Sequence, residues 1–138
     1  MKILTLILTL LLLASNQLDK PYKYAATGPN AYDCSGLVVS CYEEVFDITL
    51  PRTAKDIGYC SDYETIYSIA NLKKGDVVCF NTNTGDKDLS DHVGIYLGDN
   101  EFIHASSGKG KVIVSPINEG YYNKSFSWGK RIVEEDPD

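Results

Sequence analysis

The sequence predicts an α+β domain in which one helix packs on an antiparallel sheet of about five strands. Apolar residues recur at helical spacing after Asp33, which predicts the helix. Short runs rich in β-branched and aromatic residues follow in the second half of the chain, and two of them flank a turn at residues 98–100, which predicts a hairpin within a sheet. At 138 residues with 43% hydrophobic residues, the chain can bury one core and form one domain.

An apolar run at the N-terminus predicts a targeting signal. Lys2 precedes ILTLILTLLLLA at residues 3–14, and polar Ser-Asn-Gln follows. A run of this length is too short to span a bilayer as a helix, so no transmembrane span is expected. We expect residues 1–16 to be a secretory signal peptide and the protein to be secreted, to the extracellular space or the cell wall. A membrane-tethering segment or a buried first helix is the alternative.

Charge and composition exclude several classes of partner. The formal net charge is −6 and the isoelectric point is near 4.8, which argues against a nucleic-acid binder. Lys and Arg residues are scattered rather than clustered along one face. The sequence has no internal repeat and no low-complexity tract, and we expect a monomer without a cofactor.

The four cysteines could pack in the core, form disulfides or act as a nucleophile. Cys34, Cys41, Cys60 and Cys79 lack the C-x-x-C spacing of zinc or thioredoxin-like sites, so no metal is expected. Cys34 and Cys41 lie on one predicted helix about 10 Å apart, too far for a disulfide. Cys41 and Cys79 fit small buried residues, although a disulfide involving Cys41, Cys60 or Cys79 remains open.

Cys34 is the cysteine whose surroundings favour reactivity. Asp33 is a good N-cap, and Leu37, Val38, Cys41 and Val45 would form the apolar face of the following helix. Cys34 would then lie in the first helical turn, where backbone N–H groups and the helix dipole favour the thiolate. Gly36 would leave the approach to the sulfur open. A buried structural cysteine is the alternative unless a base lies nearby.

Both histidines fall in the predicted hairpin. With a three-residue loop at 98–100, Leu97 pairs with Glu101 and Gly94 stands opposite His104. His92 and His104 then share one face of the sheet. A two-residue loop would shift the register and place them on opposite faces. On one face, His92 can act as the base for a thiol and His104 can orient the His92 ring. The alternative is that each histidine only forms hydrogen bonds at a sheet edge.

Five segments in order resemble the NlpC-type cysteine peptidases, a papain-like group that cuts cell-wall peptides. The segments are PYKYAATGPNAYDCSGLV, LPRTAKDIG, LKKGDVVCF, DHVGIYLG and FIHASSGKGKV, and the resemblance extends over roughly residues 20–133. The resemblance implies a papain-like α+β fold over residues 17–133, followed by an acidic disordered tail at 134–138. It implies a cysteine endopeptidase acting on the peptidoglycan stem peptide, at the bond between D-glutamate (through its γ-carboxyl) and the following diamino acid.

The same resemblance implies roles for six residues. Cys34 would be the nucleophile, His92 the base and His104 the orienting residue, and Tyr24, Asp33 and Ser35 would bind substrate, with Tyr24 near the oxyanion. Asp33 as a cap and Tyr24 as a core aromatic are the alternatives.

The sequence departs from the family pattern at two places. Ala25 and Ala26 replace a usual glycine pair, and Asp91 replaces a small hydroxyl residue before His92. Asp91 would raise the pKa of His92 and reject acidic substrate groups, or point into solvent. The other functions considered are a catalytically silent module that binds wall fragments or a partner, and a cysteine-dependent amidase or acyltransferase.

Overall fold

A computed structural model describes residues 2–83 and 89–134. The expected acidic tail therefore lies outside the described residues except for Glu134, as does part of the polar stretch before His92. The helices are α1 Ile3–Ser15, α2 Cys34–Phe46, α3 Ala54–Gly58 and α4 Gly120–Ser125, with a 3₁₀ turn at Ile69–Asn71. The strands are β1 Glu64–Ile66, β2 Val77–Phe80, β3 His92–Gly98, β4 Glu101–Ser106, β5 Lys111–Pro116 and β6 Phe126–Arg131.

Helix α2 begins and ends where its local sequence predicts. The Asp33 side chain accepts a hydrogen bond from the Gly36 N–H at 2.6 Å, which satisfies one of the free amides of the first turn. Asp47 ends the helix in the left-handed conformation, and its N–H bonds the Glu43 carbonyl. Leu37, Val38 and Cys41 are buried, as the apolar spacing predicts. The N-cap thereby places Cys34 at the first position of the helix.

The strands form one antiparallel sheet in the order β1-β6-β2-β3-β4-β5. The predicted α+β class is confirmed, and the described sheet has six strands where about five were expected. The additional strand is β1, a three-residue segment that pairs with β6 at the sheet edge. Its short length and mixed polarity explain why the pattern of residues 64–66 does not predict a strand.

The β3–β4 hairpin reaches the predicted register by a different turn. Ile95 pairs with Ile103, as expected, but Gly98 pairs with Glu101 instead of Leu97. Asp99 and Asn100 both have positive φ, which is the conformation of a two-residue type I′ turn. A bulge between Tyr96 and Gly98 compensates for the shorter loop. The predicted three-residue loop is therefore wrong, while the shared face of the histidines follows from the restored register.

The sheet separates two apolar clusters. The first lies on the α2 face and includes residues from α2, β3 and β4, such as Leu37, Val93 and Ile103. The second lies on the opposite face and includes the aromatic residues Phe80 and Phe102. Adjacent residues of β4 enter different clusters because successive side chains of a strand point to opposite faces.

The N-terminal apolar run forms helix α1, which packs on α2. Ile7, Leu10 and Ala14 are buried, whereas Leu4, Leu8 and Leu12 are exposed. None of the helices in the described part of the chain is long and apolar enough to cross a membrane. The packing of α1 corresponds to the alternative of a buried first helix. Cleavage of residues 1–16 as a signal peptide stays a prediction.

The segment that follows α1 runs along the outer edge of β5. The Asp19 N–H bonds the Val112 carbonyl at 3.0 Å, and the Val112 N–H bonds the Lys20 carbonyl at 2.9 Å. The Tyr22 N–H bonds the Gly110 carbonyl at 2.9 Å. These bonds cover the start of the β5 edge, at residues 110–112, and lead the chain directly to the region in front of Cys34.

Candidate active site

Cys34 lies where the start of α2 meets the start of β3. Its partly exposed thiol borders a cleft of about 700 Å³. The backbone N–H groups of Val93, Ser35 and Cys34 itself point toward the sulfur. Val93 directly follows His92 in the chain, so the thiol contacts the strand that carries the proposed base. All four cysteines are free thiols in the structure, as the spacing of Cys34 and Cys41 predicts for that pair.

The two imidazoles form a hydrogen-bonded pair between β3 and β4, and His92 lines a smaller cavity with Tyr122 rather than the cleft at Cys34. His92 Nε2 and His104 Nδ1 are 2.8 Å apart. Gly94 allows this approach, because a Cβ at position 94 would come within 3.0 Å of the His104 Cβ and 2.7 Å of the Ile103 carbonyl oxygen. Since Nε2 of His92 is occupied by His104, Nδ1 is the nitrogen left to accept a proton from a thiol.

The second ring nitrogen of His104, Nε2, has a partner that the sequence does not predict. His104 Nε2 lies 2.8 Å from the hydroxyl of Ser115 on β5. Ser115 is one of the two buried residues of β5, and a buried polar side chain indicates a specific hydrogen bond.

Aromatic residues surround the histidine pair. Phe102 stacks on His104 with ring centroids 4.4 Å apart, and Tyr122 on α4 contacts both imidazoles. These rings remove water from the pair. Burial consequently lowers the pKa of His92 to about 4, opposed by the negative charge of Asp91. Burial, together with the charge of His92, lowers the pKa of His104 to about 2.

The thiol pKa differs from the expectation at the sequence level. Burial raises the pKa of Cys34, and the charge of Asp33 acts in the same direction. The three N–H groups oppose this effect but are the smaller contribution in sum. The structure therefore favours the neutral thiol over the expected resting thiolate, and the helix start stabilises negative charge once the thiol proton moves.

Asp33 and Ser35 are held in place by Arg52. The Arg52 guanidinium bonds the Asp33 carboxylate at 2.9 Å and 3.2 Å, and it donates to the Ser35 hydroxyl at 2.7 Å. The pKa of Arg52 is raised, first by its hydrogen bond to Asp33. Arg52 also lines the cleft, a role that the sequence does not predict. An isolated arginine after a proline gives no periodic signal that would reveal this contact.

The two tyrosines before the cysteine occupy different environments. Tyr24 lines the cleft but is 85% exposed, so it is not the core aromatic considered as an alternative. Tyr22 also lines the cleft and packs against the first apolar cluster. Burial and the negative charge of a Cys34 thiolate raise the pKa of Tyr22. Tyr22 is therefore the tyrosine whose pKa depends on the charge of Cys34, and the sequence does not distinguish it from Tyr24 because the difference lies in burial.

The segment between Tyr24 and Cys34 is closely packed. Ala25 has a φ of 66°, in the left-handed region where glycine is favoured. Its N–H bonds the Asp33 carboxylate at 3.0 Å, which holds it in this conformation. A Cβ at Gly36 would lie 2.1 Å from the Ala26 carbonyl oxygen. Gly36 thus permits contact between α2 and residue 26, rather than opening the approach to the sulfur as expected.

Asp91 fixes a loop instead of pointing into solvent. One carboxylate oxygen accepts bonds from the Thr82 N–H at 2.8 Å and the Thr82 hydroxyl at 2.9 Å. The other accepts from the Asn83 N–H at 3.1 Å. Asp91 and Asn83 both line the cleft. The carboxylate that replaces the usual hydroxyl residue thereby holds the chain at residues 82–83 against the strand that carries His92.

Comparison with known proteins identifies the family of the chain. The sequence profile described as the NlpC/P60 family matches residues 19–131. The chain belongs to the NlpC/P60 family. The predicted resemblance and the papain-like α+β fold are both confirmed.

Relatives within the NlpC/P60 family are named as endopeptidases. The chain is 40% identical to "Probable endopeptidase NlpC" of Escherichia coli K12 over 81% of this chain and 69% of that protein. It is 31% identical to "Murein DD-endopeptidase MepH" of the same strain over 85% of this chain and 42% of that protein. Across the first relatives that it matches, the chain spans about half of their length.

A solved structure of the family has the same fold. NlpC1 from Trichomonas vaginalis superposes with a TM-score of 0.78 at 30% identity, covering 88% of this chain and 42% of that chain.

The burial of both histidines predicts a loss of stability in mild acid. Their pKa values are lowered in the folded state, so the unfolded chain binds these protons at higher pH. The free energy of unfolding should fall as the pH drops below about 6.5, by about 1 kcal/mol per histidine between about pH 7 and pH 5.5. Urea titrations at both pH values measure this difference.

The variant His92→Asn serves as the control for this prediction. The chain contains two histidines, so removal of one should reduce the pH-dependent loss by about half. Equal losses in the wild type and the variant would contradict the assignment of the effect to the buried pair.

Proposed function

We propose that this chain is a cysteine endopeptidase that hydrolyses peptidoglycan stem peptides. The observation that carries the proposal is the arrangement of Cys34 at a helix start, against the amide that follows His92, with His92 bonded to His104 at 2.8 Å. Membership in the NlpC/P60 family and the names of its murein endopeptidase relatives support the substrate class.

The proposed reaction begins with transfer of the Cys34 proton to Nδ1 of His92. The thiolate then attacks the amide carbonyl, and the negative charge that develops on oxygen is stabilised by N–H groups at the start of α2. The C–N bond breaks as the imidazolium returns the proton to the leaving amine. Water then hydrolyses the thioester with His92 acting again as the base. His104 keeps the ring of His92 in position throughout.

The proposed bond joins D-glutamate, through its γ-carboxyl, to the following diamino acid. Asp33, Ser35 and Tyr24 are the proposed substrate-binding residues on the acyl side of the cleft. Asp33 is already bonded to Arg52 and to two backbone amides, so substrate would meet a preformed network rather than a free carboxylate.

A second candidate is the DD bond of a peptide cross-link. It is favoured by the names of the relatives MepH and MepS, both described as murein DD-endopeptidases. The two candidates share the nucleophile and the base, and they differ in which bond lies over Cys34. A binding module without activity is the rival from another class. An amidase or acyltransferase on the same residues is the remaining alternative.

Digestion of purified peptidoglycan tests the reaction. The wild type should release fragments that end in γ-D-glutamate, and Cys34→Ala should release none while remaining folded. His92→Ala should be as inactive as Cys34→Ala, whereas His104→Ala should retain residual turnover because the base remains. Mass spectrometry identifies the fragments. Cleaved cross-links would replace the proposed bond with the DD bond, and no fragments at all would favour the binding module.

A matched pair of variants tests which tyrosine serves the site. Tyr22→Phe removes the hydroxyl whose pKa the charge of Cys34 raises, and kcat should fall by about tenfold, the value of one hydrogen bond in the transition state. Tyr24→Phe removes the hydroxyl of an exposed ring and should change kcat by less than about twofold. Steady-state kinetics on a stem peptide measure both. A larger loss in Tyr24→Phe would restore the sequence-level assignment.

Secretion is proposed from the apolar run before residue 17. The mature chain should begin close to residue 17 when the full sequence is produced with an export pathway. The intact mass of the protein recovered outside the cell measures this. A mass that includes residues 3–15 would instead make α1 a permanent part of the fold, as its contacts with α2 permit.

A further inference from the structure

The buried hydrogen bonds of the histidine pair continue beyond His104. His104 is fully buried, and Ser115 is 6% exposed. Both ring nitrogens of His104 are engaged, Nδ1 with His92 and Nε2 with the Ser115 hydroxyl, each at 2.8 Å. Ser115 lies on β5, where Ile113 pairs with His104, so the serine reaches the ring diagonally across the two strands.

The direction of these bonds determines which nitrogen of His92 carries a proton. Each neutral imidazole has one N–H donor and one nitrogen acceptor. If Ser115 accepts from His104 Nε2–H, then His104 Nδ1 must accept from His92 Nε2–H, and Nδ1 of His92 is free of a proton. If Ser115 instead donates to His104 Nε2, every bond reverses and Nδ1 of His92 is protonated. That second form cannot take a proton from Cys34.

We propose that Ser115 is a positioning residue that, by accepting a hydrogen bond from His104, holds His92 in the tautomer competent to act as a base. The proposal rests on the proposed peptidase function for its kinetic consequence, while the tautomer itself is independent of it.

The charged intermediate of the reaction favours the same direction. After His92 takes the thiol proton it carries N–H donors on both nitrogens, so Nε2–H must donate to His104 Nδ1. His104 must then donate from Nε2, and Ser115 must accept. No proton leaves His104 or Ser115 during the cycle: the proton that leaves the sulfur moves to Nδ1 of His92 and then to the leaving amine. Serine suits this buried position because its hydroxyl oxygen can accept a hydrogen bond.

Few groups around His92, His104 and Ser115 would compete with the Ser115 hydroxyl for a hydrogen bond to His104. Among the described residues in contact with the rings, His104 faces His92, Phe102 and Tyr122. His92 also faces Phe80, and it is influenced by the charge of Asp91. Loss of the Ser115 oxygen would leave Nε2–H of His104 without its partner in this dry environment, so the proton would shift toward Nδ1.

Nuclear magnetic resonance of ¹⁵N-histidine-labelled protein tests the tautomers directly. Because the chain has two histidines, the ring signals are few and can be assigned with His92→Asn. The wild type near neutral pH should show Nε2 protonated and Nδ1 unprotonated in both rings. In Ser115→Ala the fraction protonated on Nδ1 should rise. A wild-type His92 protonated on Nδ1, or unchanged tautomers in Ser115→Ala, would overturn the proposal.

Kinetic measurements add a second readout. Ser115→Ala should lower kcat by about tenfold with little change in KM, and it should slow alkylation of Cys34 by iodoacetamide. Ser115→Thr keeps the hydroxyl and should restore most of both rates. Ser125→Ala is the matched control, because Ser125 is also 6% exposed and its hydroxyl bonds the Tyr121 carbonyl. Equal effects in Ser115→Ala and Ser125→Ala would contradict the assigned role.

The two sets of measurements separate the proposals. If the wild type releases no peptidoglycan fragments, the proposed function fails, and the resonance and alkylation data alone decide the role of Ser115. If the wild type is active but Ser115→Ala keeps both its tautomers and its kcat, the role of Ser115 fails and the proposed function stands.

Discussion

The carboxylate of Asp33 is the group on which the arrangement around Cys34 depends. It accepts from the Gly36 N–H inside α2, from the Ala25 N–H in the preceding segment and from Arg52 in the segment before α3. Three separate parts of the chain are thereby fixed to one side chain at the helix start. The acceptor is a charged carboxylate, and hydrogen bonds to a charged group are stronger than those between neutral groups. One donor, the Gly36 N–H, belongs to the first helical turn, where backbone amides have no partner within the helix. The position of the sulfur follows from this network.

The sequence predicts best what depends on local pattern. The N-cap at Asp33 and the apolar face at Leu37, Val38 and Cys41 follow from spacing alone, and the structure agrees. The two histidines share a face as predicted, although the loop on which that prediction depended is different. The hairpin shows why agreement in register does not require agreement in detail. A bulge and a two-residue turn give the same pairing of Ile95 with Ile103 as the predicted longer loop.

What the sequence does not predict depends on contacts between distant segments. Arg52 and Ser115 belong to segments with no sequence relation to Cys34, and their roles arise from side chains that meet after folding. The pKa of Cys34 was misjudged for a similar reason. The helix start is visible in the sequence, whereas the burial that outweighs it is contributed by the packed sheet. The sequence does not show which of Tyr22 and Tyr24 serves the site, because they differ in burial and burial depends on the fold.

The pairing of residues 19–22 with the edge of β5 has a consequence for the behaviour of the protein in concentrated solution. An uncovered strand edge invites pairing with another molecule, and this segment occupies the first part of that edge, at residues 110–112. The same few residues continue directly into Tyr22 and the wall of the cleft. Protection against self-association and the shape of the cleft are therefore physically linked. A change that detaches this segment would expose a site for intermolecular β-pairing and displace Tyr22 in one step, so aggregation and loss of the site would occur together.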